Sequence, residues 1–249
     1  MKSLPRKLAW LLPLLCLAPL AHGADALLPA LTVTNAPGGG QNYSLTIQLL
    51  ALMTAITLLP AALLMMTAFT RIVIVLAILR QAIGVGQAPP NQVLVGLSVF
   101  LTLFVMAPVV DQIRNDAVTP YMDGGISSTV ALERAVVPLK GFMLKQTRES
   151  DIAAFVRISG GKGFDKPEDV PLTILAPAFV TSELKTAFQI GFLLFIPFLV
   201  VDMVIANLLL ALGMHMLSPT TVSLPFKLLL FVIADGWTLV IRGLLQSYA

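Results

Sequence analysis

The chain has 249 residues, of which 57% are hydrophobic and only 12% charged, and its mean hydropathy is +0.90. A soluble domain carries about a quarter charged residues, so the composition excludes an ordinary soluble protein and points to an integral membrane or membrane-complex protein. The formal net charge of +3 resides at the start of the chain: without Lys2, Arg6 and Lys7, 13 basic residues face 13 acidic ones. Nothing resembles the basic patch that nucleic-acid binding needs.

Lys2, Arg6 and Lys7 precede an apolar stretch from Leu8 to Leu20, broken by Pro13 and Pro19 and followed by Ala21-His22-Gly23. This pattern predicts a secretory signal peptide over 1–23, cut between Gly23 and Ala24, because the apolar core is too short to span a ~30 Å hydrocarbon layer. The mature N-terminus is then expected outside the cytoplasm. Cys16, the only cysteine, lies in this leader, so the mature chain is expected to hold no disulfide, thiol nucleophile or Cys metal site. His22 and His215 are the only histidines, too few for a His-based metal site.

Residues 24–43 read as an extracytoplasmic lead containing Pro37-Gly38-Gly39-Gly40. A first apolar helical hairpin is expected over 44–110, with Pro60 dividing or kinking its first long segment. A turn rich in glycine and proline falls at Arg80–Pro90, and the next apolar helix is expected from Val93 to Val110, with Pro108 near its end. Over 111–171 the character changes, with nine acidic and eight basic residues intermixed. This reads as a small helical subdomain on the periplasmic side, with one amphipathic stretch from Ser128 to Val156. A second apolar hairpin follows over 172–249, its two arms joined by an uncharged loop at 213–219. The expected fold class is an all-α membrane-complex protein of bent, proline-interrupted apolar hairpins.

No HExxH, Gly-x-Ser-x-Gly or Walker lysine pattern occurs, and Gly160-Gly161-Lys162-Gly163 lacks the spacing that cradles phosphate. The expectation is no catalysis, no metal and no cofactor. Charges within apolar stretches are more informative. Arg71, Glu183, Lys185, Asp202, Lys227, Asp235 and Arg242 would each be costly facing lipid, so each should face protein, water or a partner charge. Glu183 and Lys185 point to different faces of one helix, so their partners are expected on other helices or other subunits. Two readings remain open on these residues: structural bridges in an oligomer, or a proton or ion path in a secondary transporter. The turn Met214-His215-Met216 places two adaptable thioethers and an imidazole between two apolar segments.

Long ordered strings resemble one family. They are Phe69-Thr70-Arg71-Ile72-Val73-Ile74-Val75-Leu76, Leu79-Arg80-Gln81-Ala82-Ile83-Gly84 and Pro89-Pro90-Asn91-Gln92, then Phe142 to Glu149, Pro177 to Phe192, Ser223-Leu224-Pro225-Phe226-Lys227-Leu228 and Asp235-Gly236-Trp237. Together they resemble the FliP/SctR family over most of 45–247, and Lys145-Gln146-Thr147-Arg148 with the leader resembles its flagellar branch. The resemblance implies a core subunit of the type III secretion export gate in the bacterial inner membrane, at the flagellar basal body. It implies a pentameric set of this chain with FliQ and FliR, neighbours FlhB and FlhA, the assembly factor FliO, and contact with membrane lipid. Unfolded flagellar export substrates would pass through the centre. The family's methionine gasket falls on Met214, His215 and Met216, where His215 departs from the usual run of three methionines. That departure is expected to make the ring less apolar and open to acid, since histidine as a residue type titrates near neutral pH. By the same matching, Arg148, Glu183 and Lys227 are candidates for bridges between hairpins or subunits.

Overall fold

The computed structural model describes residues 32–35, 41–44, 47–161, 163–164 and 166–248. The expected signal peptide and its Gly23/Ala24 cut lie outside them. The described residues fall into two units, one ending at Leu59 and the other starting at Pro60. In the first, strands β1 (Thr32–Asn35) and β2 (Gln41–Ser44) pair antiparallel, Thr32 opposite Ser44 and Asn35 opposite Gln41. This hairpin falls in the stretch read from sequence only as a lead. Helix α1 (Ile47–Met65) follows. It is apolar all round, and its two threonines turn their hydroxyls back onto the helix, Thr54 to the Leu50 carbonyl at 2.7 Å and Thr57 to that of Thr54 at 2.9 Å. A helix with no polar stripe needs an apolar surround on every side.

The second unit is helical. After the end of α1 come α2 (Phe69–Ile83) and α3 (Asn91–Ile113), and α3 runs on through a π-helical turn (Arg114–Val118) into α4 (Thr119–Met122). Then come α5 (Ser128–Gln146), α6 (Glu149–Ile158), α7 (Leu172–Ala211), α8 (Pro219–Ile233) and α9 (Gly236–Gln246).

The prolines do not set the breaks. Pro60, Pro108, Pro138, Pro177, Pro197 and Pro225 all sit inside helices. Each removes one rung from a ladder that is long enough to keep the rest. The break expected at Pro60 comes at 66–68 instead. There Thr67 accepts from the Phe69 amide at 3.3 Å and donates to the Leu64 carbonyl at 2.7 Å, so a side chain competes with the helix for its backbone groups. The expected single helix from Ser128 to Val156 is likewise two, separated at Thr147-Arg148.

Helix α2 is the centre of the packing. Ile72, Val75, Leu76, Leu79, Ala82 and Ile83 recur at helical spacing and are buried, and Ala187, Phe198, Phe231, Val240 and Leu244 close over them. The α2–α7 contact is close because α7 presents small residues. A Cβ built on Gly191 would lie 2.5 Å from Ile78 Cδ1 and 3.2 Å from its Cβ. A second cluster of Met143, Val170, Leu175 and Phe179 joins α5 to the start of α7.

By length and composition the run Asn91–Met122 (32 residues) and α7 (40 residues) could each cross a membrane. At 1.5 Å per residue α7 is about 60 Å long, twice a ~30 Å hydrocarbon layer. Leu49–Met65 of α1 with α2, and α8 with α9, qualify only as broken pairs, the latter bent by 64°.

Candidate functional site

Three buried or half-buried polar clusters tie the second unit together. The largest is built on Arg71, in the first turn of α2, and Glu183, on the buried stripe of α7 between Ser182 and Ala187. Their relative exposures are 2% and 0%. The guanidinium meets the carboxylate in two places: Nε donates to Oε2 at 2.9 Å, and Nη2 donates to Oε1. Nη1 donates to the Ser247 carbonyl at 2.9 Å and to its hydroxyl at 3.0 Å, while Nη2 also donates to Gln146 Oε1 at 3.2 Å. All five guanidinium N–H groups therefore have an acceptor. The Tyr248 ring lies 3.9 Å below the guanidinium carbon, its hydroxyl is 3.0 Å from Glu183 Oε2, and Gln146 Nε2 donates to the Tyr248 carbonyl at 3.3 Å. A buried ion pair offsets its desolvation only when the geometry is good and further hydrogen bonds complete it, and both conditions hold here.

The second cluster joins α6 to α7. Lys185 Nζ donates to Asp151 Oδ1. Asp151 is buried and its Oδ2 has no partner among the described residues, whereas the Lys185 side chain is half exposed. Beside it the Arg148 amide donates to Ser182 Oγ at 3.2 Å, and the Arg148 guanidinium donates to Thr186 Oγ1 at 3.2 Å and Gln189 Oε1 at 2.6 Å.

The third cluster joins α2, α7 and α8. Lys227 Nζ lies 2.6 Å from Asp202 Oδ2 and donates to the Ala82 carbonyl at 3.2 Å. Ser223 donates to Asp202 Oδ1 at 2.5 Å. The ammonium thus sits at the C-terminal end of α2, where the last carbonyls lack helical partners and the helix dipole favours a cation.

Asp235 differs from the rest. It was expected among the structural buried charges, but it is exposed and forms no ion pair among the described residues. It marks the α8–α9 break in a left-handed conformation, φ +48°. Aspartate tolerates that region better than most residues, which explains the residue type there. Arg242 is exposed as well.

Met214, His215 and Met216 are brought together on the exposed turn between α7 and α8, with Met214 42% and Met216 100% exposed. An open groove of about 700 Å³ lies between α3, α5 and the C-terminal end of α9 with the residues that follow it, lined by Phe104, Pro108, Val109, Phe142, Leu245 and Tyr248 among others.

The sequence pattern of the FliP family matches residues 52–244. The chain belongs to the FliP family. It is 54% identical over 229 residues to a protein named flagellar biosynthetic protein FliP from Pectobacterium carotovorum subsp. carotovorum, covering 92% of this chain and 89% of that one. It is 52% identical over 211 residues to the protein of that name from Bacillus subtilis, covering 84% and 94%. It is 48% identical over 212 residues to that from Aquifex aeolicus, covering 84% and 89%.

The FliP-family match includes Arg71, Gln146, Arg148, Asp151, Glu183, Lys185, Asp202, Met214 to Met216 and Lys227, while Ser247 and Tyr248 lie just beyond it. Gln146, Ser247 and Tyr248 complete the Arg71 cluster and were missed in the sequence. A glutamine, a serine and a tyrosine in mixed surroundings raise no alarm, whereas a charge in an apolar run does. Asp151 was missed for the same reason, since it sits in a segment rich in charge.

Proposed function

We propose that this FliP-family chain is a core channel subunit of the flagellar type III protein export gate in the bacterial inner membrane. A pentameric set of copies would join FliQ and FliR to form the pore through which unfolded flagellar proteins cross, with FlhB and FlhA as neighbours and FliO assisting assembly. The chain would act by shape and closure, with no catalytic step and no cofactor. On this reading the charged region 111–171 lies on the periplasmic side.

The observation that carries the proposal is apolar surface left open on several helices, one of which, α7, is too long for a bilayer. Phe100, Phe104, Phe188, Phe192, Val232 and Ile233 are each more than 60% exposed, on α3, α7 and α8. A soluble monomer does not present such surface, and a 40-residue helix cannot hide all of it in lipid. Copies of the chain and its channel partners would cover it. The saturated Arg71–Glu183 pair fits a fixed strut better than a carrier of protons.

The exposed loop supplies the test. If Met214, His215 and Met216 close a pore, replacing Met214 and Met216 with alanine in the assembled gate raises ion leakage across the membrane by several fold. An unchanged leak with normal assembly would remove the gasket from the proposal.

A further inference from the structure

The turn between α7 and α8 has a donor set whose chemistry goes beyond closing a hole. Its backbone is fixed from both sides. Just past the end of helix α7, Gly213, at φ +73°, donates its amide to the Leu210 carbonyl at 3.0 Å, while the Met214 amide donates to the Leu209 carbonyl at 2.9 Å. These two bonds form a left-handed glycine cap that sets the position of Met214. The Leu217 amide then donates to the Met214 carbonyl at 3.4 Å, so Met214 to Leu217 close a four-residue turn with His215 and Met216 at its corners. Pro219 starts α8 at once, with its fixed φ suited to a first helical position.

This short, tied turn presents three soft or borderline donors to the outside: the sulfurs of Met214 and Met216 and the imidazole of His215. No Asp, Glu, Lys or Arg occurs from 203 to 226. A hard divalent cation would find no carboxylate here. A soft monovalent cation needs none, because thioether and imidazole ligands suit it and it accepts two or three of them.

We propose that Met214, His215 and Met216 form a binding site for a soft monovalent metal ion of the Cu(I) or Ag(I) class. The two thioether sulfurs and one imidazole nitrogen are its ligands. The tied backbone lowers the ordering that binding requires. The site rests on the loop alone, so it stands or falls separately from the channel reading.

The test uses the full chain purified in detergent with its co-expressed complex, under reducing conditions. Cu(I) is the probe, distributed between the protein and a coloured Cu(I) chelator and followed by absorbance. The expected result is one Cu(I) per copy of the chain. A Met214→Leu/Met216→Leu variant, which keeps the apolar volume, weakens binding at least tenfold, and His215→Gln weakens it as well. Met122→Leu, at a methionine 78% exposed elsewhere, leaves binding unchanged, and Zn(II) does not compete. The proposal is overturned if the double leucine variant holds Cu(I) as tightly as the parent, if Met122→Leu weakens it equally, or if the parent takes up none.

Discussion

At the scale of single residues, the buried charges form a network with unequal members. Arg71 and Glu183 are both buried, so removing one leaves the other charged and unpaired. Glu183→Ala should destabilise the chain by about 3–5 kcal/mol, read as a lower denaturation midpoint of the purified complex. The paired Arg71→Leu/Glu183→Leu variant should lose less than Glu183→Ala, because it removes both desolvated charges together. Arg71→Lys should not substitute, since an ammonium cannot reach Glu183, Gln146 and Ser247 at once. The Asp151–Lys185 pair predicts an asymmetry. Lys185 is half exposed while Asp151 is buried with one oxygen unpartnered. Lys185→Met strands a buried carboxylate, whereas Asp151→Asn leaves a lysine that can turn to water. Midpoints should therefore fall further for Lys185→Met; equal losses would contradict this geometry.

At the scale of elements, what decides the fold is how closely α2 and α7 approach. Gly191→Ala should cost about 1–3 kcal/mol, because the new methyl meets Ile78 at its branched Cβ as well as its tip. Gly243→Ala on α9, where nothing lies within 4 Å of the added carbon, should be neutral or stabilising by up to about 1 kcal/mol. Paired denaturation curves check both. This scale also shows what the sequence could reveal. The apolar segments were readable because hydrophobic runs and the charged stretch between them contrast sharply. The helix ends were less so. Proline looked like the breaker, yet one lost rung does not end a 19-residue or 40-residue helix, while Thr67 and Asp235 mark breaks through local hydrogen bonding and a left-handed backbone. Charges were legible as anomalies, but their partners were not. Arg71 and Glu183 are 112 positions apart, and only the α2–α7 packing brings them together.

At the scale of the whole molecule, the second unit holds a closed polar interior and an open apolar exterior. The three clusters pin α2, α5, α6, α7 and α8 to one another through contacts within the chain. The exposed faces of α3, α7 and α8 are left for something else to cover. Charge reversal at Glu183 should then prevent assembly indirectly, by disordering the unit that presents those faces, and normal complex formation by Glu183→Arg would contradict that link. The central claim is that several copies of this chain build one channel with FliQ- and FliR-like partners. Native mass spectrometry of the detergent-extracted complex, after co-expression with those partners, tests it most directly. The account predicts one large mixed assembly holding several copies of the chain, each beginning at Ala24. A lone monomer or dimer that still begins at Met1 would contradict it.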